Sequence, residues 1–126
     1  LASWAGMCPG NNESAGKKKS GKTRKGNNTL RCTLVECAKA AGRSKNTYLS
    51  EQYKRLAARR GRNRAAVAVG HSILTIAYYI LRDNRTFYDL GADYFEKRKK
   101  KDIVRRAVKR LEALGYKVTI EEEISA

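Results

Sequence analysis

AAVAVGHSILTIAYYIL, residues 65–81, is the stretch on which the fold turns. It is the most apolar run of the chain, so either lipid or a protein core must cover it. A membrane span needs about 20 apolar residues; this run is at the short limit and is interrupted by Gly70, His71, Ser72 and Thr75. It therefore reads as a central helix, opened near Asn63 and buried on most sides, with no membrane partner. His71, with no second histidine or acid nearby in sequence, reads as a packed, hydrogen-bonded core residue.

The flanks agree with a helical domain. Leu30, Leu34, Cys37, Ala38 and Ala41 recur at helical spacing over 29–41, with Gly42 as the stop. Ser44 or Asn46 can cap a second helix carrying Leu49, Tyr53, Leu56 and Ala57 and ending at Gly61. Beyond a turn near Asp83 and Asn84, Phe87, Tyr88 and Leu90 form a short aromatic connection. A long helix over 93–114 carries the stripe Ile103, Val104, Ala107, Val108, Leu111 and Leu114, with Arg105, Arg106, Lys109 and Arg110 on its solvent face. Gly115 ends it, and residues 116–120 alternate like a short strand. Tyr48, Tyr53, Tyr78, Tyr79 and Tyr94 read as core or core-edge residues. Leu1 to Met7 reads as the end of a helix broken by Pro9 and Gly10. The expected fold is all-α: a small domain of about four main helices over 1–120. It has a basic Gly-rich loop at 10–28, a short C-terminal strand or extended segment, and an acidic tail at 121–126.

Charge narrows the partner. The 126 residues carry 28 Lys and Arg against 12 Asp and Glu, a net charge of +16, and the isoelectric point is near 10.1. Such a surface attracts a polyanion, and nucleic acid is the default because each phosphate contact releases condensed counterions. Cys8, Cys32 and Cys37 are odd in number and match no metal spacing, which fits reduced thiols in a cytosolic protein. The acids Glu36, Glu51, Asp83, Asp89, Asp93, Glu96 and Asp102 are scattered, with no metal-binding set and no cofactor site. The first residues carry no basic and apolar leader pattern. The chain opens on Leu1 rather than Met, in what reads as the middle of an amphipathic segment, so a fragment of a longer protein is expected.

The basic residues concentrate in GNNESAGKKKSGKTRKGNNTLR, residues 10–31, where Glu13 is the one acid. Lys17, Lys18, Lys19, Lys22, Arg24, Lys25 and Arg31 stand among small and polar residues, which suits phosphate held close to the backbone. Asn27 and Asn28 could reach a base edge, or serve as turn and cap residues. Arg59, Arg60, Arg62 and Arg64 form a second cluster, and Lys97 to Lys101 a third. Residues 16–23, GKKKSGKT, also satisfy the pattern G-x-x-x-x-G-K-[ST] of nucleotide-binding loops. That motif works by joining a buried strand to a helix N-terminus. Here no apolar strand precedes it, and Gly26 with two asparagines follows, so ATPase or GTPase chemistry is not expected.

Three elements in fixed order carry a family resemblance: Trp4, Ala5, Gly6 and Pro9; then Ser14, Gly16 and Lys17; then Lys25, Gly26, Asn27, Leu30 and Arg31. The pattern W/Y-A-G-x-x-P, S-x-G-K, K-G-N-x-x-L-R resembles the C-terminal serine domain of insertion-sequence transposases. These have an N-terminal RuvC-like DEDD nuclease domain and include the pilin-gene invertases and bridge-RNA-guided recombinases. The resemblance continues to about Tyr116. It implies that Ser14 is the nucleophile joined to a cleaved DNA strand, with Lys17, Lys18, Lys19, Lys22, Arg24, Lys25, Asn27 and Arg31 holding nucleic acid. It also implies DNA as partner, a guide RNA in the bridge-RNA-guided members, and a homo-oligomer in the full-length protein. Divalent metal is expected in the N-terminal domain outside this chain, and localisation in the bacterial cytoplasm, on the nucleoid when DNA is bound. A serine hydroxyl beside clustered cations suits such chemistry, since charge builds on phosphoryl oxygens during attack. The second reading is a basic helical module that binds DNA or RNA without chemistry.

Overall fold

A computed structural model describes residues 1–123. A first compact unit spans Leu1–Ala92 and a second begins at Asp93. In chain order the first unit contains a hairpin of β1 (Asn12–Ser14) and β2 (Lys17–Ser20). The helices α1 (Asn28–Arg43), α2 (Tyr48–Arg60) and α3 (Arg62–Asp83) follow. The second unit contains α4 (Tyr94–Ala113). The mostly helical fold is as expected from sequence, and the departures are local.

Helices α1, α2 and α3 pack on one another. Ala38, Ala66 and Val69 form one buried cluster between the helices, and Leu34 and Leu74 form another with Ala5 and Met7 of the N-terminal arm. Gly42 does not stop α1: the helix runs to Arg43. A side chain at Gly42 would meet the Tyr53 ring of α2 at 2.6 Å, so this glycine makes room for a packed aromatic. The α2 cap is Thr47, whose Oγ1 accepts from Ser50 N at 3.2 Å, rather than Ser44 or Asn46. Ser44 is held in the connection, with its Oγ donating to Ala41 O and its carbonyl accepting from the buried Ser50 Oγ at 2.7 Å. Asn46 takes the left-handed backbone of the turn, φ 55°. Asn84, φ 49°, closes α3 in the left-handed conformation.

The central helix is buried on one face only, a correction to the reading of a helix covered on most sides. By length and composition α3 could cross a membrane. In the fold its buried residues are Ala65, Ala66, Val69, Gly70 and Leu74. Tyr78, Tyr79 and Leu81 are exposed, Leu81 at 83%. The two tyrosines are thus surface residues, because α1 and α2 cover only the N-terminal half of α3.

The N-terminal residues do not continue a helix. Ala5 N donates to Leu1 O and Met7 N to Ala2 O, each at 3.0 Å, and the turns stop at Gly6. This arm then crosses the segment leading into α1. Asn27 N donates to Trp4 O at 2.8 Å. A Cβ at Gly26 would sit 2.3 Å from Gly6 N and 2.4 Å from Trp4 O, so two backbones touch where only glycine fits. Gly26→Ala should therefore destabilise the unit by about 3 kcal/mol or more, lowering the midpoint of thermal unfolding by roughly 10 °C or more. Gly21→Ala, with open space around its Cβ, should leave it nearly unchanged. Equal midpoints for the two variants would show that the crossing does not form.

In the second unit α4 is preceded by Asp93 and followed by Leu114, one residue inside the expected range at each end. No residue of α4 is buried, and its stripe is open at Ile103 and Leu111. Beyond Gly115 residues 116–120 form no strand among the described residues, since no neighbouring strand offers a ladder. The extended segment runs back beside the helix, bringing Glu122 Oε1 to 3.2 Å from Lys100 Nζ. Of the acidic tail, 121–123 are described and 124–126 lie outside the described residues.

Candidate nucleic-acid interface

The segment read as a loop at 10–28 contains an antiparallel hairpin. Its strands have no apolar alternation, so a pattern search passes over them, and what makes the hairpin is its turn. Ala15 and Gly16 both take positive φ, 51° and 73°, the two-residue turn whose twist matches paired strands. Below it Ser14 pairs with Lys17, Glu13 with Lys18 and Asn12 with Ser20, and Lys19 is the extra residue of a bulge. An isolated bridge between Pro9 and Thr23, with Gly10 N donating to Lys22 O at 2.8 Å, carries the pairing to the root. Both strands are exposed along their length.

This register places the predicted residues. Directly opposed side chains share a ribbon face, with Cβ atoms about 5 Å apart. Ser14 and Lys17 thus stand together at the tip, with Asn12 and Ser20 further down the same face. Glu13, the local acid, is paired with Lys18 on the reverse face. The Ser14 hydroxyl has no hydrogen-bond partner among the described residues. Ser20 differs, because its Oγ accepts from Lys22 N at 3.2 Å. Lys22, Arg24 and Lys25 are exposed along the returning arm.

Asn27 and Arg31 are occupied by the fold. Asn27 caps α1, its Oδ1 accepting from Leu30 N at 2.9 Å. Half-buried Arg31 reaches back from α1 and donates from NH1 to Gly6 O at 2.5 Å and to Thr23 Oγ1 at 2.7 Å. It ties the N-terminal arm, the hairpin root and α1 into one joint. Arg59 and Arg60 end α2, and Arg62 and Arg64 open α3, giving an exposed cluster separate in sequence from the hairpin. The Lys97 to Lys101 cluster belongs to the second unit, where Lys97 pairs with Asp93. That bond holds the Asp93 carboxyl below its ordinary range.

One feature was not read from sequence. A cavity of about 810 Å³ opens between the C-terminal half of α3 and the 84–90 connection. The half-buried His71 lies on its wall. Beside it the Arg82 guanidinium lies 4.6 Å from the Tyr79 ring centroid and 5.7 Å from that of Tyr78. Its Nε donates to Asp83 Oδ1 at 2.7 Å, and this bond raises the Arg82 pKa above its usual value. The available signal was the spacing of Tyr78 and Tyr79 to Arg82, four and three residues apart, which stacks them on one helix face.

The nucleotide-loop string fails structurally. Its residues Lys17–Ser20 form β2, whose partner is the antiparallel β1, and the next helix starts at Asn28. No helix N-terminus faces a phosphate there. Titration calorimetry with magnesium ATP or GTP is expected to show no binding in the micromolar range. Micromolar affinity lost on Lys22→Ala would reverse that reading.

Fold and site together define a small basic helical protein that presents a serine on an exposed hairpin. Residues 1–54 match the model of the Transposase IS116/IS110/IS902 family. The match takes in the N-terminal arm, the hairpin, α1 and the start of α2, and it supports a transposase-related function. No curated protein and no solved structure matches the chain.

Proposed function

We propose that the chain is the DNA-binding, strand-transfer part of a transposase, with Ser14 as nucleophile and the hairpin lysines holding the phosphates. One observation carries this reading: Ser14 stands at an exposed tip beside Lys17, its hydroxyl unengaged and the local acid turned to the other face. The family match over residues 1–54 supports the class of protein. In the step proposed, the Ser14 Oγ–phosphorus bond forms as the phosphorus–oxygen bond to a deoxyribose breaks. The net proton passes from the serine to the departing sugar hydroxyl. One phosphodiester replaces another, so the joined strand stays competent for transfer. Lys17, Lys18 and Lys19 supply positive charge around the phosphoryl oxygens.

Among the described residues no three His, Cys, Asp or Glu side chains gather as a metal site. The divalent metal implied by the resemblance finds no ligand set among these residues. The proposal assigns the metal to a RuvC-like DEDD domain acting with this chain. It likewise assigns to the full-length recombinase the homo-oligomer and, in bridge-RNA-guided members, the guide RNA, at work on the nucleoid in the cytoplasm. The second reading, a binding module without chemistry, draws on the three basic clusters and needs no hydroxyl at position 14. Mass spectrometric mapping of the protein–DNA adduct in the full-length recombinase separates the two. Attachment at Ser14 is expected, and attachment at Ser20 or a tyrosine would end the assignment.

A further inference from the structure

The cavity beside α3 has no part in the strand-transfer step. By helical periodicity Ser72, Thr75 and Tyr79 lie on the side of α3 opposite Gly70 and Leu74, the face that meets the N-terminal arm. The groove and the N-terminal arm thus lie against opposite sides of one helix. Its volume of about 810 Å³ falls within the usual range of ligand pockets, room for a planar ring system or two.

What lines it narrows the occupant. Tyr48, Tyr79, Phe87 and Tyr88 contribute rings, and Tyr88 is 82% exposed. Arg82 lies over one face of the Tyr79 ring, yet Tyr79 and Phe87 are each about half exposed, so ring surface remains open in the groove for stacking. Of the two carboxylates bordering the 84–90 connection, Asp83 is engaged by Arg82. Asp89 accepts from the backbone N–H groups of Tyr48 and Gly91 at 3.1 and 2.7 Å. Arg85 forms no ion pair among the described residues and stands on the groove wall. Aromatic faces with a guanidinium free to take a phosphate are what a single nucleic-acid strand needs, because every base has a π-face to stack. A net charge of +16 supplies long-range attraction for the same ligand.

We propose that the groove between α3 and the 84–90 connection binds unstacked bases of a single nucleic-acid strand, stacking them on Tyr79 and Phe87 while Arg85 meets the backbone. This rests on the reading of the chain as a nucleic-acid binder, and it does not depend on Ser14. A duplex keeps its bases stacked internally and gains nothing from these rings. The groove would therefore favour DNA that has been opened, or an unpaired RNA segment.

The test is fluorescence anisotropy of the 126-residue chain with labelled oligothymidylate and oligouridylate of about 16 nucleotides, a duplex of equal length, and an abasic strand. Tyr79→Ala with Phe87→Ala should weaken single-strand binding about tenfold or more and leave duplex binding within about twofold. The abasic strand should bind the native chain as weakly as thymidylate binds the variant. Tyr79→Phe with Phe87→Tyr keeps the rings and should keep the affinity. A drop confined to one sugar type identifies that strand as the ligand. Equal losses on duplex and single strand, unchanged single-strand binding, tight abasic binding, or a ring-retaining variant as weak as the alanine one would each overturn the proposal. Unchanged single-strand binding is also the result if the groove receives a protein segment. The hairpin reading fails separately: Lys17, Lys18, Lys19 and Lys22 replaced by Ala would then leave duplex binding intact, whatever the ring variants do.

Discussion

With Ser14 as the proposed nucleophile, Ser14→Ala should abolish the covalent protein–DNA adduct, a loss of roughly a thousandfold or more, while DNA affinity stays within about twofold. The asymmetry follows from what the substitution removes. An ester needs a nucleophilic oxygen at one position, and no neighbouring hydroxyl can stand in. Ser20 is four residues beyond Gly16, with its oxygen already accepting from Lys22 N. Binding has many contributors, and Ser14 brings no charge to it. The turn residues Ala15 and Gly16 are untouched, so the hairpin keeps its register. Lys17→Ala should act differently, reducing adduct formation about tenfold and affinity slightly. An ammonium at an exposed tip is screened, and it counts for less than a donor in a closed site. Adduct yield by denaturing gel and affinity by anisotropy, measured on the same preparations, check both. Full adduct formation in Ser14→Ala would remove the serine from the chemistry.

The second large effect is on salt dependence. Each phosphate contact contributes about 0.9 to the slope of log K against log salt on duplex DNA. Lys17, Lys18, Lys19 and Lys22 are all exposed on one short ribbon and its returning arm. Replacing the four by Ala should flatten the slope by up to about 3.6. Between 50 and 200 mM salt the native chain should then lose about a hundredfold more affinity than the variant. The weakening should be the same on unrelated sequences, because phosphate contacts position without reading bases. An unchanged slope would move the interface to Arg59, Arg60, Arg62 and Arg64.

Much of this architecture could be read in the chain. Four helices follow from apolar spacing, and Gly61 and Asn84 end two of them as turn chemistry requires. Two kinds of feature were not legible. Gly42 read as a stop because glycine disfavours helix, yet the packing of Tyr53 against it outweighed that cost. The hairpin has no strand signature: three polar residues pair with three lysines and a serine, held by a two-residue turn and a bridge at the root. Local turn geometry decided it, and hydrophobic period was silent. In the site, composition pointed to the lysines, but nothing in the spacing showed that Arg31 would be spent inside the fold rather than on a ligand. The groove was hidden for a related reason. An apolar helix invites the assumption of full burial, and only the three-dimensional arrangement shows which half of α3 is left without a cover.

The joint at Arg31 has a mechanical consequence. The hairpin is a cantilever, clamped at one end by the guanidinium and by the Gly26 crossing, and free at the other. A beam fixed this way holds its root direction and leaves any bending to the tip, so the Ser14 hydroxyl stands at the end with the most freedom while the root keeps its bearing on α1. Any pull on the tip arrives as torque at this root, shared between the Arg31 guanidinium and the Gly26 crossing at the start of α1. From there the load enters α1 as a rigid rod, and the rest of the unit receives it through the packing of α1 on α2 and α3.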